Sequence, residues 1–389
     1  MRPMIDKTTA VNNNAPTLPC HLVEEEILSR LPVKFLLQIR CVCKSWNSLI
    51  SSNPRFAKKH LSMSTTPCLY FVRQLSGRHT IASCPLLQCI FTTVSNNVTI
   101  TQIEYPPSYH FDYPNHVIVG SCNGILCLAK RFFSDDDSSV VVLWNPSLRK
   151  LKELPQPRYP NLSISGVSYG FGYDFVTDNY KVVAVLSYKV GNNILLAKVK
   201  AVVMINTLGT NFWKDMKDFP FDSMYLSNPG KFVCGTVNWL ASKCRFNSPC
   251  FIVSLDLGIE SYQKISLPDY GELDSFLLHL CVLRDCLCFI SGHDVWIMKE
   301  YGNKESWTKL FNLSYMGEPS IDNFVFNAVY MFEDGQVLFE SNEDGYHKMS
   351  VHDPRIGSVK YIKFQDKSIN YSYDNYPTVC IESLISSYF

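Results

Sequence analysis

Cysteine is the residue type best placed to do chemistry in this chain, which carries 15 of them. Thiolates bind zinc when two pairs of ligands recur at CxxC-like or HxxxH-like spacing. No such pair of pairs occurs here. Cys286 and Cys288 in "CLCF" alternate along a predicted strand and share one face, and Cys122 and Cys127 flank "NGIL". Both patterns suit buried thiols acting as small hydrophobes. The nine histidines are scattered. His293-Asp294 and His352-Asp353 fall where a repeated unit turns, so a turn role explains them better than an acid–base pair. Asp135, Asp136 and Asp137 form a charge run of the kind usually solvated in a loop, with an oxygen-ligand calcium site as the alternative. Gly170-Phe171-Gly172 lacks the third glycine and the βαβ setting of a dinucleotide site. There is no GxxxxGK[ST] loop and no GxSxG elbow. The chain is therefore expected to have no catalytic residues, no metal and no cofactor.

Charge and composition narrow the partners. Against 36 basic residues stand 35 acidic ones, a net charge of +1. That leaves no broad basic field for nucleic acid, which is not expected as a partner. The N-terminal "MRPMIDKTTAVNNNAPTLPC" has no apolar core of a signal peptide, and no run approaches the ~18 apolar residues that span a bilayer. A membrane is not expected either. The expected setting is cytoplasmic or nuclear, where thiols stay reduced. The glycosylation sequons at Asn97, Asn161, Asn312 and Asn370 are then chance matches.

The elements that would position any site fall into two kinds. Residues 1–17 read as a disordered leader and 18–64 as helical. Pro32 interrupts the helical pattern, and Asn53-Pro54 restarts it with a capping residue and a first-turn proline. From Cys68 onward short apolar runs alternate with Gly, Pro, Asn and Asp clusters, which predicts strands. The strand region carries a weak repeat. Taking Asn145, Asn206, Asp256, Lys299 and Asp353 as equivalent turn positions gives spacings of about 61, 50, 43 and 54 residues, near the ~50 of kelch units. Residues 65–389 are accordingly expected to form a kelch-like β-propeller of six blades. The sixth blade would join the strand of "CLYFVRQL" to the C-terminal "PTVCIESLI". An irregular β-sandwich is the rival architecture. The fold class is mainly β with a small α-helical N-terminal module.

That module is over-supplied with apolar residues. Val33, Leu36 and Leu37 form one set, Phe35 and Ile39 a second, and Val42, Trp46, Leu49 and Ile50 a third at i, i+4, i+7, i+8. A helix apolar on most sides must be covered on most sides, by the propeller or by another protein. Val42, Leu49 and Ile50 are read as closing the local core.

The pattern "LPCHLVEEEILSRLPVKFLLQIRCVCKSWNSLISSNPRF" resembles an F-box, the helical module of SCF-type ubiquitin ligases. The matching positions are Leu18-Pro19, Ile27-Leu28, Leu31-Pro32, Leu36-Leu37, Arg40, Val42-Cys43-Lys44, Trp46 and Leu49-Ile50. The region after Cys68 resembles the F-box-associated, kelch-type domain of a large plant family, through "GSCNGILCL", "LWNPSLRKLKELP", "GFGYDFVTDNYKVV", "FVCGTVNWLA" and "SLDLGIESYQKISLP".

The resemblance implies a non-catalytic substrate receptor. The F-box would bind a Skp-type adaptor, and through it a cullin and a RING subunit, while the propeller captures an unknown protein substrate for ubiquitylation. Carried over by position, the adaptor-facing residues are Leu18, Pro19, Ile27, Leu28, Leu31, Pro32, Val33, Leu36, Leu37 and Trp46. Candidate substrate-binding loop residues are Tyr159, Tyr173, Asp174, Phe212, Arg245, Phe246, Tyr270, Tyr301 and Tyr315, chosen as aromatic, Arg and turn residues of a displayed loop surface. The alternatives are a propeller with its own ligand or glycan, or an F-box protein acting without the cullin ligase.

Overall fold

The computed structural model describes residues 19–63, 66–75, 78–91, 98–103, 116–130, 141–157, 164–190, 198–216, 225–243, 248–271, 277–314, 325–343, 346–364 and 377–386. The expected leader, 1–17, lies outside them.

The helical module begins with α1 (Cys20–Leu22), which runs on through a π-helical turn (Val23–Ile27) and a 3₁₀ turn (Leu28–Arg30). Pro32 then admits α2 (Val33–Ile39), followed by α3 (Lys44–Ser52) and α4 (Pro54–Met63). The start of α4 follows the expected chemistry. Asn53 Oδ1 accepts from the backbone N–H groups of Arg55 and Phe56, satisfying two donors that the first turn leaves open.

Among the described residues twenty-four strands follow, as six four-stranded antiparallel blades. Blade 1 is β4–β7 (His116–Cys122, Ile125–Lys130, Val141–Asn145, Lys150–Leu154) and blade 2 is β8–β11 (Ile164–Asp174, Asn179–Val190, Lys198–Thr207, Lys214–Asp215). Blade 3 is β12–β15 (Tyr225–Val233, Thr236–Ser242, Cys250–Asp256, Ser261–Ile265) and blade 4 is β16–β19 (Leu278–Leu283, Cys286–Ser291, Asp294–Met298, Trp307–Asn312). Blade 5 is β20–β23 (Val325–Met331, Val337–Glu343, Tyr346–Asp353, Ser358–Tyr361). In blade 6 the C-terminal β24 (Thr378–Ile381) pairs antiparallel with β1 (Pro67–Leu75), which continues to β2 (Arg78–Pro85) and β3 (Thr101–Ile103). The first strands of successive blades touch in a closed ring, from β4 round to β24 and back. The propeller and its closure are as expected, and the sandwich is not. Among the described residues a short α-helix, α5 (Leu86–Phe91), and a 3₁₀ turn (Lys304–Ser306) interrupt the β region.

The core is divided between neighbouring blades, and a period of two does the dividing. On β5, Ile125, Cys127 and Ala129 face blade 2, while Leu126 and Leu128 face blade 6. A strand sandwiched between two blades buries both faces, so it reads as a continuous apolar run. Cys288 fills the blade 4–5 core in the same way. Burial pushes the Cys122 thiol up to about 12, so these thiols are inert filling, not nucleophiles.

The five turn positions of the repeat all sit at the outgoing end of a blade's third strand. The side chain at that point shapes the turn into the fourth strand. Asn145 Oδ1 accepts from Leu148 N–H, Asp256 Oδ1 from Gly258 and Ile259, and Asp353 Oδ1 from Arg355. Short polar side chains bond their own backbone a few residues on.

The helical module is not a bead on a string. Its buried Leu28, Val33, Leu36, Ile50, Phe56 and Ala57 belong to one core with the blade 1–2 interface and with Leu384 and Ile385.

Candidate functional site

Two turns per blade, first-to-second strand and third-to-fourth, lie at one end of the propeller. The remaining connections lie at the other, because the strands of each blade alternate in direction. The helical module sits on the first of these ends. Lys58 of α4 pairs with Asp178 in the β8–β9 turn at 2.5 Å, and α2 and α3 share a cavity with the β6–β7 turn.

Within the module the apolar residues separate into two groups. Leu28, Val33 and Leu36 are at most 1% exposed. They were expected to face a partner, and the structure corrects this: their side chains fill the chain's own core, so no adaptor can reach them without unpacking it. Leu31, Leu37 and Trp46 are half-buried against that core. The Leu31 carbonyl is also tied to the buried His60 ring, 2.8 Å away. Pro19 and Pro32 are exposed, and Ile27 is 44% exposed. Leu18 lies outside the described residues.

Three exposed apolar residues join this second group without having been singled out as partner-facing: Leu22, Phe35 and Val42. The signal for Phe35 was present, since its helical phase is rotated away from Val33 and Leu36. Val42 was assigned to the local core, and this is overturned by its exposure of 66%. It falls in the break between α2 and α3, so the i, i+4 spacing to Trp46 does not place it on α3's buried face. Leu49 and Ile50 do pack inward.

The propeller candidates divide differently. Tyr173 and Asp174 are buried and structural, which corrects their reading as displayed loop residues. Asp174 closes β8 by accepting from the backbone of Val176 and Thr177 and from the Thr177 hydroxyl. It also pairs with buried Lys181 at 3.0 Å, and Lys181 reaches Glu260 of blade 3 at 3.0 Å and the Leu257 carbonyl. Burial alone would raise the Asp174 pKa, but hydrogen bonds from Thr177 and Lys181 outweigh it and hold the carboxyl below its ordinary value. Glu260 is likewise held low: Lys214 and Lys181 overcome its partial burial. This is an ion-pair clamp between blades 2 and 3.

Tyr301 is also cement. Its hydroxyl meets Thr236, Ser254 and Asn238 at 2.6 Å each. Tyr270 packs edge-on against Phe289, and its hydroxyl accepts from Cys250 N–H. Phe212 is 62% exposed on the turn into β11, at the end that carries the helical module. Tyr159, Arg245, Phe246 and Tyr315 lie outside the described residues, as do Asp135, Asp136 and Asp137. The candidate list thus mixed the two ends of the propeller, because a residue's end depends on which strand pair it connects.

Among the described residues, no group of three or more His, Cys, Asp or Glu side chains is placed to hold a metal ion. No helix among them is long and apolar enough to cross a membrane.

Comparison with known proteins agrees with this division. Residues 22–58 match the F-box domain family, and residues 83–387 match the F-box associated beta propeller domain family. An F-box/kelch-repeat protein of Arabidopsis thaliana is 31% identical over 364 residues, covering 88% of this chain and 93% of that protein. The F-box protein CPR1 of the same plant is 28% identical, over 84% of this chain and 80% of its own. Among solved structures, TolB from Acinetobacter baumannii aligns at 10% identity with a TM-score of 0.46, over 84% of this chain and 70% of that one.

Proposed function

Because the chain belongs to the F-box proteins that carry an F-box-associated β-propeller, a generally non-catalytic family, we propose that it is a substrate-recognition subunit of an SCF-type ubiquitin ligase. In this reading residues 18–64 are the F-box and 65–389 the target-binding domain, working in the cytoplasm or nucleus. The F-box engages a Skp-type adaptor, which brings a cullin and a RING subunit. The propeller holds the protein to be ubiquitylated.

One observation carries the reading. The F-box buries its own core fully, yet keeps Leu22, Ile27, Phe35 and Val42 between 41% and 66% exposed. Such residues are anchors in search of a partner groove. Pro19 and Pro32 are exposed with them, while Leu31, Leu37 and Trp46 are half-buried against the core. Leu28, Val33 and Leu36 act indirectly, by fixing the helices to the propeller.

For the target, the long connections at the end away from the F-box are the favoured surface. The strands flanking Tyr159, Arg245-Phe246 and Tyr315 all end there. A captured protein would then sit opposite the adaptor, clear of the F-box.

The test replaces Ile27 and Phe35 together with Ala. Both are exposed, so the propeller should unfold at its normal temperature while co-precipitation of adaptor and cullin is lost. Full recovery of the adaptor with this variant would sink the assignment. Replacement of Leu31 and Pro32 by Ala is expected to lose the adaptor too, with a larger fall in stability because Leu31 is half-buried.

A further inference from the structure

A cavity of about 470 Å³ lies where the F-box meets blade 1 and the C-terminal segment. Its lining includes Lys34 and Arg40 from α2, Arg149 and Lys150 from the β6–β7 turn, and a single carboxylate, Glu382. Four cations face one acid in a chain whose net charge is only +1. Several cations elsewhere at this end of the propeller are paired: Lys58 with Asp178, Lys214 with Glu260, Arg355 with Asp353. The four in the cavity have no ion-pair or hydrogen-bond partner for their side chains among the described residues.

Like charges repel, so a fold gathers them at a cost unless an anion is to be met there. The backbone that gathers them is rigid. Val33 and Leu36 root α2 in the core, leaving Lys34 and Arg40 on its exposed side. Asn145, fully buried, donates from Nδ2 to the carbonyls of Ser383 and Ile385, and Ser147 Oγ accepts from Ser383 N–H. These bonds lock the turn to the C-terminal segment. Arg149 sits within that turn in the left-handed region, at φ 54°. The backbone that carries the cations is therefore fixed before any ligand arrives, so binding has only their side chains to order.

We infer that this junction is a binding site for a multiply charged phosphate ligand. Two guanidinium groups offer paired N–H donors that match phosphate oxygens, and two ammonium groups add point charge. The volume falls within the ~300–1,000 Å³ of small-ligand sites. Two of the cations come from the F-box and two from the propeller, so an occupant joins the modules and stiffens the angle between them. The phosphate can come from a small polyanion or from a phosphorylated side chain. The inference does not depend on adaptor binding.

The experiment uses the full chain and tripolyphosphate as probe, at ionic strength matched with sodium chloride. Saturable binding by calorimetry and a rise in unfolding temperature are expected. The double variant R149N/K150Q should bind about tenfold or more weakly, with Asn chosen because it tolerates positive φ. Its ligand-free unfolding temperature should match the parent, since both side chains are exposed. Lys44→Gln, an exposed charge on α3 outside the cavity, should bind as the parent does. A phosphoserine peptide run in parallel separates the sources. Binding of the peptide that is lost in the double variant assigns the site to phosphorylated protein, and binding of tripolyphosphate alone assigns it to a small anion. No saturable binding of either probe, or equal weakening by Lys44→Gln and the double variant, overturns the inference.

Discussion

At the end of the propeller that carries the F-box, strands reverse through short turns. Asn123-Gly124 joins β4 to β5 with both residues at positive φ, Cys234-Gly235 does the same for β12 and β13, and Arg284-Asp285 for β16 and β17. Such two-residue turns follow the natural twist of a hairpin. At the other end the second-to-third-strand turns of blades 4 and 5 are also short, but the connections between blades are longer: among the described residues Leu154 is followed by a strand only at Ile164, Ile265 only at Leu278, and Asn312 only at Val325. The tight end is also where buried polar groups concentrate: the Asp174–Lys181–Glu260 clamp, Asn145 and His352. Close turns bring side chains of neighbouring blades within bonding distance. Long connections tolerate changes of sequence and length more readily. In the proposed reading, stability and adaptor binding share one end, and the other is left for recognition.

Substitutions can break this contrast, beginning at the clamp. Lys181→Ala leaves Asp174 buried without its cation and should cost roughly 3–5 kcal/mol in urea unfolding. Lys58→Ala, which breaks the exposed pair to Asp178, should cost under ~1 kcal/mol. Equal effects would show that the clamp is not the stronger tie.

Acid should act through the same end. His352, 0% exposed beside Phe339, is pushed down by burial to about 4, and its Nε2 lies 2.7 Å from Ser350 Oγ. The unfolded chain therefore binds this proton first. His352 contributes stability that is complete above about pH 6.5 and lost as pH falls toward 4, by about 3 kcal/mol. Below that, the lowered Asp174 and Glu260 lose theirs as they protonate. His352→Gln should flatten the stability profile between pH 6.5 and 4, and an unchanged slope would count against this account.

Gly124 probes the seam between the β4–β5 turn and the C-terminal segment. A Cβ there would lie 2.1 Å from Ser383 Cβ, at φ 80°. Gly124→Ala should cost about 1–3 kcal/mol, read from the unfolding temperature. The smallest effect belongs to the far end. Halving the connection between Lys130 and Val141 should change stability by no more than ~0.6 kcal/mol while altering which proteins are captured. A large loss of stability would erase the distinction between the ends.

Much of this architecture was legible from residue order. Asn145, Asp256 and Asp353 recur where a third strand ends because a short polar side chain caps that turn well, although Lys299 stands at the same place in blade 4, so the repeat could be counted before any strand was placed. The closing strand near Cys380 was legible as well, because five units were visible and the sixth had to be assembled from strands at both ends of the β region. The sites were harder to read. Tyr173 and Asp174 look like a polar, aromatic loop, and their burial depends on Lys181 and Glu260 arriving from other strands. Helical phase puts Leu36 and Phe35 on different faces, but nothing local says which of the two faces meets the propeller.

The sequence by itself determined the periodicities: two for the blades, near 3.6 for the F-box helices, and about fifty for the repeat. These are properties of backbone geometry and hold wherever the segment is placed. Only the tertiary structure decided which apolar residues stayed exposed, and which cations met at the junction cavity. Those depend on contacts between residues hundreds of positions apart, such as Asn145 with Ser383, and no local pattern encodes them.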